Sequence, residues 1–249
     1  MSNIYETDRL LAEYLLFHYG TAQETMPYAF GPMEALDFPA RCARLCFDDD
    51  AAAPQPHTRA LDIGCAVGRA TFELARNCES VTGIDFSQRF IEAACELKMT
   101  GTHWYRRMDE GSRTTECAAR VPEDIRRDRI SFETGDAMDL RDDLGAFEIV
   151  LAANLLCRLP KPAKFLARLP LLVKPGGRLV ITTPCTWLED FTPRAHWLCS
   201  ENSTTLDGLH RHLDAHFDLN KTLDLPFVIR EHARKFQWTV AQASIWTRR

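Results

Sequence analysis

Residues 4–19 place Ile4, Leu10, Leu11, Tyr14, Leu15 and Phe17 at helical spacing, with His18 among them, and predict an amphipathic helix. Residues 33–47 repeat the pattern and predict a second. Between them, 20–32 is rich in turn formers and carries Tyr28 and Phe30. Residues 48–58 are acidic and then proline-containing, and read as a linker. From Arg59 the rhythm changes. Short apolar runs at 60–63, 80–84, 130–133, 147–152 and 178–182 predict strands. Helices are predicted between them at 69–78, 88–98 and 161–173. Ser87 is placed to cap the second, and Pro175, Gly176 and Gly177 to stop the third. Continuous apolar strands separated by helices predict an α/β fold with a doubly wound, mostly parallel sheet.

Two segments interrupt that rhythm. Residues 100–129 are charged and without clear period, and read as an insertion. Near the end, 206–216 predicts a helix, and the β-rich runs 219–229 and 236–246 flank 230–235. These runs predict an antiparallel pair at one edge of the sheet. The whole reads as a single domain over 1–249, with an N-terminal helical cap at 1–58, the insertion at 100–129, and a C-terminal helix and β-pair at 200–249.

The most informative stretch runs from Ala60 and Leu61 through Asp62, Ile63, Gly64, Cys65, Ala66 and Val67 to Gly68. A strand delivers the chain into a loop whose small residues let backbone approach a ligand, and a helix follows. Asp85 ends the next strand, about twenty residues on, where a carboxylate accepts hydrogen bonds from ribose hydroxyls. A dinucleotide fingerprint needs glycines where Ala66 and Arg69 stand, and no P-loop lysine follows. The loop has a shorter form that resembles the first motif of class I methyltransferases. Gly135, Asp136 and Ala137 resemble their adenine-contacting motif. The resemblance implies a Rossmann-like class I methyltransferase fold and S-adenosyl-L-methionine as cofactor, with S-adenosyl-L-homocysteine as product and no metal. It places Gly64, Cys65, Ala66 and Gly68, and Asn154 further along, against the cofactor. Asp62 orients the loop or meets the methionyl amine, Asp85 takes the ribose, and Asp136 takes the adenine amino group beside Ala137. Phe86 flanks the adenine. Ala66 departs from the usual glycine by one methyl group.

Composition narrows the partners. The chain has 249 residues and a net charge of −5, so nucleic acid is not an expected partner. Arg126, Arg127 and Arg129 alternate with Asp124 and Asp128 and read as a solvated face. Nine cysteines, odd in number and without a CxxC pair, suit a reducing compartment rather than disulfides or structural zinc. No basic-then-apolar leader opens the chain and no apolar stretch has membrane-spanning length, so a cytoplasmic protein is expected.

The acceptor side is expected around Asn154, Leu155, Leu156 and Cys157, where amide- and exocyclic-amine methyltransferases often carry Asn/Asp-Pro-Pro-Tyr/Phe. Its absence suits a small-molecule acceptor. The opening stretch 4–20 and the stretch 226–238, with the loop, resemble the ovothiol-biosynthetic methyltransferase family. That family occurs as a stand-alone protein and as the C-terminal domain of the sulfoxide synthase, a functional link. The resemblance covers nearly the whole chain. It implies methylation of a ring nitrogen of 5-thiohistidine to give ovothiol A; the alternative is a methyltransferase of the same fold acting on another small amine, thiol or acid. The amino-acid substrate needs a cation for its carboxylate, which Arg230 or Arg234 supplies, and an acceptor for its ammonium, which Glu231 supplies. Arg230 and Glu231 read equally well as a surface ion pair. Tyr14, His18, Tyr28 and Asn154 are candidates to clamp the imidazole, with core packing the competing role for Tyr14 and His18. Asn154, His18 and Tyr28 are the catalytic candidates. The thiolate is the better nucleophile, so attack by nitrogen requires positioning at roughly 3–3.5 Å from the methyl.

Overall fold

The computed structural model describes residues 4–47 and 57–249. The linker expected at 48–58 lies, except for His57 and Thr58, outside the described residues. The N-terminal elements are α1 (Asp8–Tyr19), α2 (Ala22–Thr25) and α3 (Phe38–Arg44). Then come β1 (Arg59–Ile63), α4 (Arg69–Leu74), β2 (Ser80–Asp85), α5 (Gln88–Thr100), β3 (Thr102–Glu110), β4 (Arg113–Arg120), β5 (Ile130–Thr134) and β6 (Phe147–Ala153). The chain ends with α6 (Pro162–Leu172), β7 (Val173–Thr183), α7 (Thr205–Leu213), β8 (Phe217–His232) and β9 (Lys235–Arg248).

Local chemistry sets most boundaries. The Thr7 side chain accepts from Leu10 N and caps α1, with Asp8 in the first turn against the helix dipole. Ser87 accepts from Phe90 N and caps α5, as its position predicts. A reciprocal capping box between Thr204 and Asp207 starts α7. Two expectations need correction. Helix α4 ends at Leu74, and the chain reaches Cys78 through turns rather than helix. Pro175, Gly176 and Gly177 do not precede β7 but lie within it. The register to β6 slips there, so that Phe147 faces Val173 while Ile149 faces Arg178. The extra residues bulge out of the ladder, which is where a strand tolerates proline.

Seven strands form one sheet in the order β5-β2-β1-β6-β7-β9-β8. All neighbours are parallel except β9, which runs antiparallel to both β7 and β8. The expected antiparallel edge pair is therefore β8–β9. Side chains alternate between two cores, as period 2 requires. Ala60, Val81, Ile149, Leu151 and Val180 face a core shared with α1, α3, α4 and α5. Leu61, Ile63, Val150, Leu179 and Trp246 face one shared with α6 and α7. The chain leaves β1 toward β2 on one side and returns to β6 on the other. The crevice beyond the carboxyl end of β1 is thus the topological switch point, where ligands of such sheets sit.

The stretch read as an aperiodic insertion is an antiparallel hairpin, β3–β4, in one register from Thr102↔Arg120 to Met108↔Thr114 and shifted by a bulge before Glu110↔Arg113. It rises at the same end of the sheet as an arm of the β8–β9 pair. Strand β7 stops at Thr183, level with Gln242 and Asp224, so 225–241 continues past the sheet. N-terminal elements hold this arm. Phe227 packs on Phe17 and Phe38, with centroids 5.9 and 4.9 Å apart. Arg41 donates to Pro226 O, Tyr28 Oη donates to Ala233 O at 3.0 Å, and Ala233 N donates to Asp109 O at 3.0 Å. These elements form a roof above the switch point.

Candidate active site

The floor of the site is built from backbone. Gly64 N and Cys65 N both donate to Ile84 O, at 2.8 and 3.0 Å, which pins the loop against β2. Gly64 (φ 77°), Ala66 (φ 48°) and Gly68 (φ 86°) are left-handed, the conformation that turns the chain back toward the sheet. A Cβ on Gly68 would lie 2.6 Å from the Phe132 ring, so glycine is required there by space as well as by φ. Asp85 joins the loop to the end of β2: its Oδ2 accepts from Ala66 N at 2.8 Å and its Oδ1 from Ser87 N at 2.9 Å. Burial raises the Asp85 carboxyl above its ordinary range, against the pull of those backbone donors. Asp62, 1% exposed, accepts from Thr71 Oγ1 at 2.7 Å and so ties β1 to the first turn of α4. Burial pushes its carboxyl up to about 7, moderated by Thr71. Cys65 is buried, and burial raises its thiol too, so it is a packing residue of the loop rather than a nucleophile.

The neighbouring positions lie along the same edge. Phe86 is 64% exposed beside Asp85. Gly135 N donates to Asp85 O at 2.9 Å, which brings 135–137 alongside β2. Asp136 Oδ1 accepts from Met138 N at 2.8 Å in a tight turn. Asn154 ends β6 in a left-handed conformation (φ 52°), its N donating to Thr182 O and its side-chain oxygen accepting from Thr182 Oγ1 at 3.0 Å. The Leu155 side chain next to it lies 3.0 Å from where a Gly64 Cβ would be, so the ends of β1 and β6 close on each other.

Helix α1 covers this floor with one face. Tyr19 Oη donates to Val67 O at 2.8 Å and anchors the helix to the loop. Tyr14 packs on Phe90, centroids 4.8 Å apart, near enough to Asp85 and Arg158 to feel their charge. His18, 8% exposed, has an Nδ1 without a hydrogen-bond partner, and burial, helped by Arg69, lowers its pKa to about 3. It is a neutral imidazole at physiological pH.

The other sequence candidates belong to the roof. Arg230, 5% exposed, donates to Glu24 O and lies 3.6 Å from Asp109 Oδ1. Glu231 bonds Lys235 at 2.8 Å and Gln237 at 2.7 Å, and these two, Lys235 first, hold its carboxyl below the usual range. Arg230 and Glu231 border a cavity of about 660 Å³ on another face of α1, whose walls include Asp8, Ala12, Glu96 and Trp104 but none of 62–68 or Asp85. Arg234 is exposed in the tip of the arm. Tyr28 spends its hydroxyl on Ala233 O. The structure thus gathers Asp62, the loop, Asp85, Phe86, Asp136, Asn154 and Tyr14 at the switch point, keeps His18 buried on α1 among Tyr14, Phe17 and Tyr19, and sets Tyr28, Arg230, Glu231 and Arg234 apart from it. Sequence reasoning missed Tyr19, Thr71 and Thr182, the partners that fix the loop, Asp62 and Asn154. Only Thr71 had a local signal, a hydroxyl in the first turn after the loop. Among the described residues no group of three His, Cys, Asp or Glu gathers as a metal site, and no helix is long and apolar enough to cross a membrane. All nine cysteines are free thiols.

The comparisons agree with this geometry. A family model described as a methyltransferase domain matches residues 32–223. The 2-methyl-6-phytyl-1,4-hydroquinone methyltransferase of Synechocystis is 30% identical over 127 residues, covering 51% of this chain and 32% of that protein. The demethylmenaquinone methyltransferase of Clavibacter sepedonicus is 30% identical over 177 residues, 66% of this chain and 62% of that protein. The chain therefore spans less than two thirds of either relative. Among solved structures, the N-methyltransferase NodS of Bradyrhizobium japonicum, in complex with S-adenosyl-L-homocysteine, superimposes with a TM-score of 0.54 at 14% identity. The match covers 96% of this chain and 98% of that one. A Methanosarcina mazei protein described as a SAM-dependent methyltransferase gives 0.52 at 18% identity, over 78% and 94% of the two chains. The fold is the Rossmann-like one of class I, S-adenosylmethionine-dependent methyltransferases. The chain belongs to the methyltransferase domain family.

Proposed function

We propose that this protein methylates a small-molecule acceptor from S-adenosylmethionine, and that the acceptor is a ring nitrogen of 5-thiohistidine, giving ovothiol A. The observation that carries the first part is the coupling of loop and acid: Ala66 N on Asp85 Oδ2, at the switch point of the sheet. The residues fit the cofactor. Glycine at 64 and 68 lets the left-handed loop pack tightly on Leu155 and Phe132, where a Cβ would collide, and so fixes its backbone beside Asp85. The Asp85 carboxylate accepts from the Ala66, Ser87 and Phe86 backbone and keeps acceptor capacity for a ribose hydroxyl. Asp136 and Ala137 meet the adenine edge, and the exposed Phe86 ring its face. Asp62 orients the loop through Thr71, and an ammonium beside it would keep its carboxylate ionised. When bound, S-adenosylmethionine supplies an electrophilic sulfonium methyl.

The residues of this chain then exclude water and orient the acceptor. Asn154 is held rigid by Thr182 at the mouth of the crevice, and Tyr14 and His18 cover it. A histidine whose pKa is about 3 is a poor proton acceptor near neutrality, so His18 serves as a hydrogen-bond partner rather than a general base. Tyr28, Arg230, Glu231 and Arg234 act indirectly, by shaping the roof. The N-terminal helical cap, the β3–β4 insertion and the C-terminal β-pair form this roof on one methyltransferase domain.

The second part rests on the resemblance at 4–20 and 226–238. Its support is that these distant stretches pack together, Phe17 against Phe227. Such joint use is expected of segments that shape one acceptor site. The reading also implies a supply of substrate from the sulfoxide synthase of the same pathway. The test is turnover of 5-thiohistidine with the cofactor, read by mass spectrometry and NMR. The expected product carries one added methyl on nitrogen. Only S-methyl product, no turnover, or better turnover of another amine, thiol or acid overturns the substrate assignment.

A further inference from the structure

Arg158 closes a short 3-10 turn, Leu156–Arg158, that begins two residues after Asn154. Its Nη1 donates to Cys157 O at 3.2 Å and to Thr186 O at 3.3 Å, with Cys157 Sγ at 3.7 Å. Its guanidinium lies 4.7 Å from the Phe191 ring centroid and donates to the Tyr5 hydroxyl oxygen. Tyr5 is itself braced against Tyr14, Phe90 and Phe191, at 6.3, 6.0 and 6.4 Å. Nη1 thus serves two carbonyls and the Cys157 sulfur, and with the phenol these leave part of the five-donor guanidinium for a ligand. Among the described residues no carboxylate pairs with Arg158, whereas the half-buried Arg69 has two and Arg107 has one. Burial raises the Tyr5 hydroxyl above its ordinary value, against the pull of Arg158.

We propose that Arg158, braced by Tyr5, binds a carboxylate of the acceptor. The geometry is that of an anion receptor: a planar cation held by two carbonyls over an aromatic face, at the carboxyl end of β6. Arg230 and Arg234, the cations expected from the sequence, lie away from this crevice, and Arg230 is committed to Asp109 and Glu24 O. The inference rests on the small-molecule reading of the site and narrows the acceptors to carboxylic acids, amino acids among them.

The experiment compares wild type, Arg158→Met, Arg158→Lys and Tyr5→Phe, each with S-adenosylhomocysteine present, by calorimetry. The probes are two matched pairs, 5-thiohistidine with 5-thiohistamine and histidine with histamine. Wild type is expected to prefer the acid of at least one pair by about 10- to 100-fold, the range for hydrogen bonds to a charged group. Arg158→Met weakens the acid by that factor and leaves the decarboxylated amine unchanged. Arg158→Lys retains part of the preference, and Tyr5→Phe loses a smaller part. Unchanged S-adenosylhomocysteine affinity in Arg158→Met separates this from a collapsed loop. Equal weakening of acid and amine, a preference that survives Arg158→Met, or no preference in wild type for either pair overturns the proposal. Arg158-dependent preference with no methylation of 5-thiohistidine sinks the substrate assignment and keeps Arg158. Methylation of 5-thiohistidine without an Arg158-dependent preference does the reverse.

Discussion

The floor and the roof of the site are built on different principles. In the floor, backbone meets backbone or a side chain close by: Gly64 and Cys65 to Ile84 O, Ala66 N to Asp85, Thr71 to Asp62. In the roof, single side chains reach carbonyls far along the chain. Tyr28 bonds a carbonyl 205 residues away, Arg230 one 206 residues away, and Arg41 one 185 residues away. The floor has only the geometry that a strand–loop–helix unit allows. The roof is set by which distant segments happen to pack. A cofactor common to many enzymes suits the first arrangement, and an acceptor particular to one suits the second.

The largest break in this contrast should come from the floor. Gly68→Ala forces a Cβ against Phe132 at a φ of 86° and should lower stability by about 2–4 kcal/mol, the sum of a left-handed penalty and overpacking. A urea denaturation midpoint equal to wild type would remove the steric argument for the loop. Asp85→Ala should weaken S-adenosylhomocysteine binding by about 1–3 kcal/mol by calorimetry, the range for hydrogen bonds to a charged group. Unchanged affinity would mean that the acid serves only the loop.

His18 stands where roof meets floor, and its effect is read from pH. Its pKa is about 3 folded and near 6.5 unfolded, so the unfolded chain takes up the proton first as pH falls. The stability it contributes is full above about 6.5 and is lost as pH drops toward 3. Between pH 7 and 5 the loss should be about 2 kcal/mol by urea titration. His18→Gln should flatten that slope; an equal slope in the variant would place the titrating group elsewhere. The smallest effect should be in the roof. Tyr28→Phe removes the bond to Ala233 O and should cost about 1 kcal/mol of stability. It should leave S-adenosylhomocysteine affinity as it was. A loss of cofactor binding there would erase the distinction between the two regions.

The same division explains what was legible in advance. Asp62, Gly64, Gly68 and Asp85 were readable because their roles follow from neighbours in sequence: a strand end, a left-handed turn, a helix start. The charged run in 100–129 hid a hairpin, because a two-stranded ribbon with much of its surface in solvent carries little apolar alternation to reveal its period. Arg230 drew attention as a cation of the right type, yet burial against Asp109 and Glu24 O gave it another partner. Arg158 drew none, since nothing near it in sequence announces Tyr5 or Phe191.

By itself, then, the sequence determined the alternation of strands and helices, the glycine loop, and the acid at the end of β2, because each is fixed by φ restrictions and side-chain period within a few residues. Only the tertiary structure decided which cations, tyrosines and histidines face the crevice. That choice depends on how α1, the β3–β4 hairpin and the β8–β9 arm pack, and packing is a property of surfaces brought together from opposite ends of the chain.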